Sequence, residues 1–435
     1  MTLRLALAAP LLLLATAAVS PSEERMRAAV AAGTPRDEAL LERLVRQNSG
    51  TLNLAGVTAV GTMMRDELAP LGFDVRWVDM KETARAGHIV ATHKGDGRGR
   101  RILLIGHLDT VFEPDSRYTG FRREGTRAYG PGVGDDKGGL VVIVAALRAM
   151  QAAGTLKRAD IMVVLTGDEE RSGKPLSIAR RDLIDAGKWA DVALEYEGLA
   201  QEDGRDFGTV ARRGATDWEI VTTGTPGHSG GVFGEALGYG ANYELARIVD
   251  AFRRELPEAN LTYNVGVMAG GTPAAFDADG FRATASGKTN IVAERAVARG
   301  DLRGPTPEQV ARVHAKMEAI VAQHLPRTGA TITFNDGYPP MAPTAGNRAL
   351  LADLNAVNRD LNLPEMPEYD PAKRGAADSS FVAADADTMG GMGAAGGGAH
   401  ADGEWLDLAS IPRQALRSAL LISRLSVQKR TRADR

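Results

Sequence analysis

The sequence predicts an α/β fold, a largely parallel sheet with flanking helices, interrupted by a smaller inserted α+β domain. Three observations carry this. In the first half, short continuous apolar runs alternate with helical patterns, as in a parallel sheet buried on both faces. Between residues 213 and 336 the rhythm becomes strand–helix–strand–strand–helix–strand. After that, helical periodicity resumes to the end of the chain. A chain of 435 residues is also too long for one ordinary core. The organisation expected is a leader at 1–20, a main domain in two parts (21–212 and 337–435), and the insertion at 213–336.

In chain order, residues 37–47 and 59–71 read as helices, followed by short strands at 74–77 and 88–92. Three apolar runs, 101–106, 161–166 and 191–196, read as buried strands, and the glycine-initiated stretch 138–153 is a helix between the first two. In the insertion, 217–224 alternates like a half-exposed strand, 236–256 is helical, and 261–268 and 291–302 are strands. Thr306-Pro307-Glu308-Gln309 opens a helix with an N-cap threonine, proline at the first helical position and glutamine three residues after the cap. That helix runs to His324, and 330–334 is the last strand of the insertion. Helices near 347–358 and at 411–425 return the chain to the main domain, while the stretch 389–398, six of whose ten residues are glycine, reads as a loop.

Composition narrows the function. Hydrophobic residues make up 44% and charged residues 25%, the values of a globular protein, and the net charge of −3 is spread over both signs, so no nucleic-acid partner is expected. There is no cysteine, which excludes disulfides, thiol catalysis, cysteine-ligated zinc and a lipid-modified cysteine. Any metal must be held by His, Asp and Glu. At the N-terminus, Arg4 precedes the uncharged apolar run from Leu5 to Leu14, and Ala15-Thr16-Ala17 is a small-residue cleavage signal. The run is shorter than the roughly 20 residues needed to span a bilayer. The expectation is a cleaved signal peptide and a periplasmic or secreted chain with no membrane attachment afterwards.

Each of the three buried runs ends in polar residues. The first leads into His107-Leu108-Asp109, the second into Asp168-Glu169-Glu170, and the third into Glu195-Tyr196-Glu197. In an open parallel sheet, ligands bind just beyond the carboxyl ends of the strands. Residues two apart on extended backbone face the same side, so His107 and Asp109 share one site, the imidazole as a ligand and Asp109 behind it. Glu169 and Glu170 are adjacent and point apart, so one can bind metal while the other acts as general base. Gly130-Pro-Gly-Val-Gly-Asp135-Asp136-Lys137-Gly138-Gly139 adds a carboxylate pair at a helix start, where negative charge is favoured. Far downstream, Gly396-Gly-Gly-Ala-His400-Ala-Asp402-Gly-Glu404 places a histidine in a glycine-rich loop. His88, His93, His314 and His324 have no acids at ligand spacing and read as structural.

These motifs, in this order, resemble the signature of the M20 metallopeptidase family, with its glutamate carboxypeptidase type the nearest likeness. The resemblance covers nearly the whole mature chain. It implies a zinc-exopeptidase-like main domain and makes the insertion a ferredoxin-like lid. It also implies two zinc ions bridged by Asp135, with His107 and Glu197 on one and Glu170 and His400 on the other; ligation by nitrogen and oxygen alone also suits cobalt or manganese. Glu169 is then the general base and Asp109 the support of His107. By the same likeness the Asp135–Asp136 peptide is expected to be cis. Glutamate-type members commonly carry proline after the third-strand acid, where this chain has Gly198. In the lid, His228 of Thr225-Pro-Gly-His228-Ser-Gly-Gly matches a histidine that reaches a partner subunit's site, which implies a homodimer through the lid. Asn290 and Arg303 match a carboxylate-recognition pair, Arg303 suiting bidentate contact. The activity implied is hydrolysis of the amide bond next to a free C-terminal carboxylate in a small peptide or N-acyl amino acid. An N-acyl amino acid deacylase, a dipeptidase and a non-catalytic binding homologue are the alternatives.

Overall fold

A computed structural model describes residues 20–277 and 282–430 of the chain. The expected leader, 1–20, lies outside this range except for its last residue, Ser20. Among the described residues no helix is long and apolar enough to cross a membrane.

The main sheet has six strands in the spatial order Asp74–Asp79, Gly87–His93, Ile161–Thr166, Ile102–His107, Val192–Glu195 and Asp387–Met389. The last four are mutually parallel, and the first two form an antiparallel edge. Parallel strands buried on both faces need continuous apolar sequence, and Ile102–His107 is buried at every position. One face carries the helices Pro21–Arg46, Gly138–Ala153 and Ser410–Leu425 in a common core with Leu41, Val142 and Leu421. Arg181–Trp189 covers the other, through Leu183 and Ala186.

The second sheet is antiparallel and has its own core. Its strands run in the order Thr262–Tyr263, Arg295–Arg303, Ala215–Gly224, Thr328–Tyr338, with Val267–Gly271 also paired to Arg295–Arg303. The helices Ala241–Glu255 and Pro307–Val321 pack on it around Trp218, Phe252 and Met317. This is the ferredoxin-like order, with the first strand central. The α/β class with a smaller α+β unit is therefore as the sequence predicts.

Several elements differ in extent. The first helix runs from Pro21 to Arg46 rather than beginning at Asp37, and it is closed at its start by a capping box in which Glu23 and Ser20 bond each other's backbone. The helix expected from Ala236 begins at Ala241, because Gly238 and Gly240 adopt positive φ and hold the preceding segment out of the helix. The strand expected over Leu261–Met268 is two short strands, separated where the backbone amides of Asn264 and Gly266 bond to the Arg295–Arg303 strand singly.

Candidate metal centre

Register brings the polar ends of the parallel strands together. His107 is paired with Thr166, and Ile105 with Glu195, so His107, Glu169-Glu170 and Glu197 emerge at one edge of the sheet. The helix Gly138–Ala153 starts at the same edge. Its second residue must be glycine, because a Cβ on Gly139 would lie 1.9 Å from the Tyr196 carbonyl oxygen. That close approach sets the preceding Asp135 and Asp136 against the strand ends, and the peptide between them is cis, as expected.

Asp135 stands at the centre. One carboxylate oxygen lies 3.0 Å from His107 Nε2 and the other 3.1 Å from His400 Nε2. His400 Nε2 is also 3.1 Å from Glu170 Oε2. His107, Asp135 and Glu170 present ligand atoms within 4.8 Å of one another, and His107, Glu169 and Glu197 form a second such group. Six residues scattered from 107 to 400 thus converge. Asp136 is buried behind them, and its carboxylate accepts the His107 backbone N–H at 3.2 Å.

Asp109 does more than support the imidazole. His107 Nδ1 bonds the Asp109 carbonyl oxygen at 3.1 Å, with the carboxylate 3.5 Å away. That directs Nε2 towards Asp135. The Asp109 carboxylate itself accepts the backbone N–H groups of Glu169 (3.0 Å) and Glu170 (3.2 Å) and the Thr51 hydroxyl (2.6 Å). Asp109 therefore ties the first and second clusters together, His107 through its backbone carbonyl and Glu169-Glu170 through its carboxylate.

The electrostatics describe a site built for cations. Burial and the neighbouring Glu197 charge push the Glu169 carboxyl well above its usual range. Burial likewise raises Asp136 and Glu170, and lifts Glu197 to about 7 although the Arg212 guanidinium opposes this. Burial disfavours a charged His107, yet its bonds to Asp109 and Asp135 outweigh this and hold the imidazole well above its ordinary value. Bonds to Asp135 and Glu170 take His400 up to about 10. Glu170 Oε1 and Asp136 Oδ1 are buried with no hydrogen-bond partner among the described residues. Two imidazoles and six carboxyl groups (Asp109, Asp135, Asp136, Glu169, Glu170 and Glu197), with oxygens of Asp136 and Glu170 still unpaired among the described residues, fit a pair of divalent cations.

Several residues at the site carried no assigned role in the sequence reading. Arg212 donates to Glu195 (2.5 Å) and Glu197 (2.8 Å), so Glu195 is engaged in a buried ion pair and Glu197 is the acid left facing His107. Arg180, fully buried, bonds Asp168 and Asp378. Tyr338, the last residue of the second sheet, donates its hydroxyl to the Glu169 carbonyl at 2.9 Å. Arg374 lines a cavity of about 230 Å³ with Asp135, Glu197 and the glycines 396–398; its guanidinium donates to the Gly198 carbonyl at 2.6 Å, and its Nε is buried without a partner among the described residues. Only an unusual setting could have marked these in sequence, such as the adjacent arginines 212 and 213 following apolar residues.

The expected lid residues are held by partners within the second sheet's own segment. His228 is bridged to Ile291, its Nδ1 accepts the Gly230 N–H at 3.1 Å, and the Ser229 N–H bonds the Asn290 carbonyl at 2.9 Å, so His228 and Asn290 are neighbours. Arg303 is paired with Asp301 at 3.0 Å. Of the histidines read as structural, His88 is bonded on both ring nitrogens, to the Ala179 carbonyl and the Gly167 N–H, and His314 stacks on Phe334.

A parallel sheet with an inserted α+β unit and a His/Asp/Glu cluster at its strand ends defines a metal-dependent hydrolase. The chain belongs to peptidase family M20/M25/M40, whose pattern matches residues 103–424. It is 28% identical to carboxypeptidase G2 of Pseudomonas sp. (strain RS-16), over 98% of this chain and 99% of that one. A succinyl-diaminopimelate desuccinylase of Novosphingobium aromaticivorans is 31% identical over 43% of this chain and 50% of its own length. In fold it resembles the aminopeptidase PepT of Bacillus cereus, with a TM-score of 0.68, 18% identity and coverage of 90% of this chain and 98% of that structure. The protein is a metallopeptidase of this family.

Proposed function

We propose that the protein hydrolyses the amide bond beside a free C-terminal carboxylate, using two zinc ions held by His107, Asp135, Glu170, Glu197 and His400. The observation that carries this is Asp135, whose two oxygens face two different imidazoles, as a bridging carboxylate must. A Bacillus subtilis protein of similar fold is a dinuclear metal-binding peptidase of the M20 family, which supports a pair of ions here. Such ions, when bound, polarise the scissile carbonyl and acidify water. Glu169, positioned by the Asp109 carboxylate, takes the proton of the attacking water as the new C–O bond forms and delivers it to the amine nitrogen as the C–N bond breaks. Arg374 is the positive group beside the metal cluster, and it joins Arg303 and Asn290 as a candidate anchor for substrate carboxylate.

His228 contributes from the lid, donating to the developing oxyanion. In this reading it serves a partner subunit, and lid-mediated dimerisation is supported by the exposed apolar side chains Phe233, Tyr243, Met268 and Ile291. Sedimentation equilibrium checks the assembly, and a monomer at micromolar concentration removes that part of the reading.

The similarity to a desuccinylase favours one second reading, an N-acyl amino acid deacylase acting through the same groups. A panel of dipeptides, N-succinyl and N-benzoyl amino acids, each with a free and an amidated C-terminus, separates the two. Hydrolysis that requires the free carboxylate, disappears with chelator and returns with zinc is the expected result. The Glu169→Ala variant keeps its zinc and loses nearly all turnover. Chelator-insensitive cleavage, or an active Glu169→Ala variant, contradicts the mechanism.

A further inference from the structure

Glu404 is 1% exposed, and its carboxylate is spent on backbone rather than on a cation. Oε2 accepts the Gly132 N–H at 2.8 Å, and Oε1 accepts those of Gly134 at 2.7 Å and Asp135 at 2.9 Å. All three donors belong to the loop that carries the central aspartate, and its bend depends on Gly132 at φ +70°. Glu404 also lies four residues after His400, in a tight turn closed by Ala401 N–H to the Gly398 carbonyl and Glu404 N–H to the Ala401 carbonyl, both 3.2 Å. Its own carbonyl accepts the Tyr118 hydroxyl at 2.6 Å. One residue therefore fastens the His400 loop to the Asp135 loop, across 265 positions of sequence separating two side chains that meet at 3.1 Å.

We propose that Glu404 is the positioning residue of the metal centre, its carboxylate fixing the spacing between Asp135 and His400 by gripping the N–H groups of residues 132, 134 and 135. This rests on the reading of Asp135 and His400 as metal ligands. The chemistry calls for a carboxylate. Glutamine offers one acceptor oxygen and turns an N–H₂ towards a backbone donor, while aspartate keeps both acceptors on a shorter arm. Groups behind the ligands typically change metal affinity by about 10–100-fold when removed.

The test measures zinc affinity by competition with a chromophoric chelator, the visible spectrum of the cobalt-substituted protein, and thermal stability, for Glu404→Gln, Glu404→Asp and Asp135→Asn. For Glu404→Gln the expected result is a tenfold or greater loss of affinity for one of two zinc ions, with moved cobalt bands; Glu404→Asp gives a smaller loss. A merely structural role would lower the melting temperature and leave zinc affinity and cobalt bands at their wild-type values, and that outcome overturns the proposal. If Glu404→Gln does not fold, Glu404→Asp decides in the same way. Asp135→Asn separates the two levels. If it retains both zinc ions at wild-type affinity, the metal-site reading itself fails, whatever Glu404 does.

Discussion

Replacing Arg180 with methionine is the sharpest test of how the site is supported. The guanidinium is fully buried and bonds Asp168 Oδ1 at 2.5 Å, Asp378 Oδ1 at 2.7 Å, the Tyr338 hydroxyl at 2.8 Å and the Ser172 hydroxyl at 3.1 Å. Both acids are buried as well, Asp168 at 0% and Asp378 at 2% exposure. Methionine fills much of the volume but leaves two carboxylates without a counter-charge. Breaking a buried ion pair from one side costs about 3–5 kcal/mol, against a total stability of about 5–15 kcal/mol for a typical domain. Each acid keeps one other bond, Gly173 N–H to Asp168 and the Thr166 hydroxyl to Asp378, which holds the loss within that range rather than doubling it. Urea denaturation at pH 7.5 should show the loss as a lower midpoint with an unchanged slope. Adding Asp168→Asn and Asp378→Asn to the variant should recover much of the stability, since a neutral set does not need the cation. An Arg180→Met protein within about 1 kcal/mol of wild type would refute the reasoning, because it would mean that the two acids do not depend on the guanidinium.

Removing the hydroxyl of Tyr338 with phenylalanine deletes its bonds to the Glu169 carbonyl and to Arg180; stability should fall by about 1–3 kcal/mol, and kcat by several-fold with KM unchanged, and an unaltered kcat would separate Tyr338 from the general base. In the metal-free protein His400 is raised to about 10 by Asp135 and Glu170, so its stabilising effect is complete below the ordinary imidazole pKa and is lost as pH rises through 10. A metal ion held by His400 would have to displace that proton, so calorimetry of zinc addition in buffers of different ionisation enthalpy should show proton release and an affinity rising from pH 6.5 to 9; a flat profile contradicts His400 as a ligand.

The strand-end acids were legible because parallel strands are written as uninterrupted apolar runs, so a charge directly after such a run marks the rim of the sheet. The pairing of His107 with Asp109 was legible for a similar local reason, the two-residue period of extended chain. The long first helix was not. Gly33 and Pro35 lie inside it and break the periodicity, and tertiary packing of Val30, Leu41 and Leu44 overrides that local preference. Arg180, Arg212, Tyr338 and Glu404 were illegible for a different reason. Their partners are set by folding: Arg180 meets Asp378 across 198 positions, and Glu404 meets Gly132 across 272. Nothing in the residues around them specifies such a meeting. Even Asp109, expected beside His107, showed only part of its contacts in sequence, because its bonds to the Glu169 and Glu170 amides depend on strand register.

The two places where the chain passes between the sheets reveal how the insertion is tied to the chemistry. The entering chain carries Arg212, three residues before the Ala215–Gly224 strand, and Arg212 holds Glu195 and Glu197. The leaving chain ends its strand at Tyr338, which holds the Glu169 carbonyl and shares Arg180 with Asp168. Both crossings thus terminate in a bond to a residue at the metal cluster, one on a candidate ligand and one on the backbone of the candidate base. A displacement of the second sheet at these two crossings would bear on Glu197 and Glu169 together, because the side chains at the crossings are the ones bonded to the site. Of the two supports Arg212 is buried, and a charged bond there keeps its geometry or breaks at a cost of several kcal/mol, whereas the half-buried Tyr338 hydroxyl makes a neutral bond that is weaker to break.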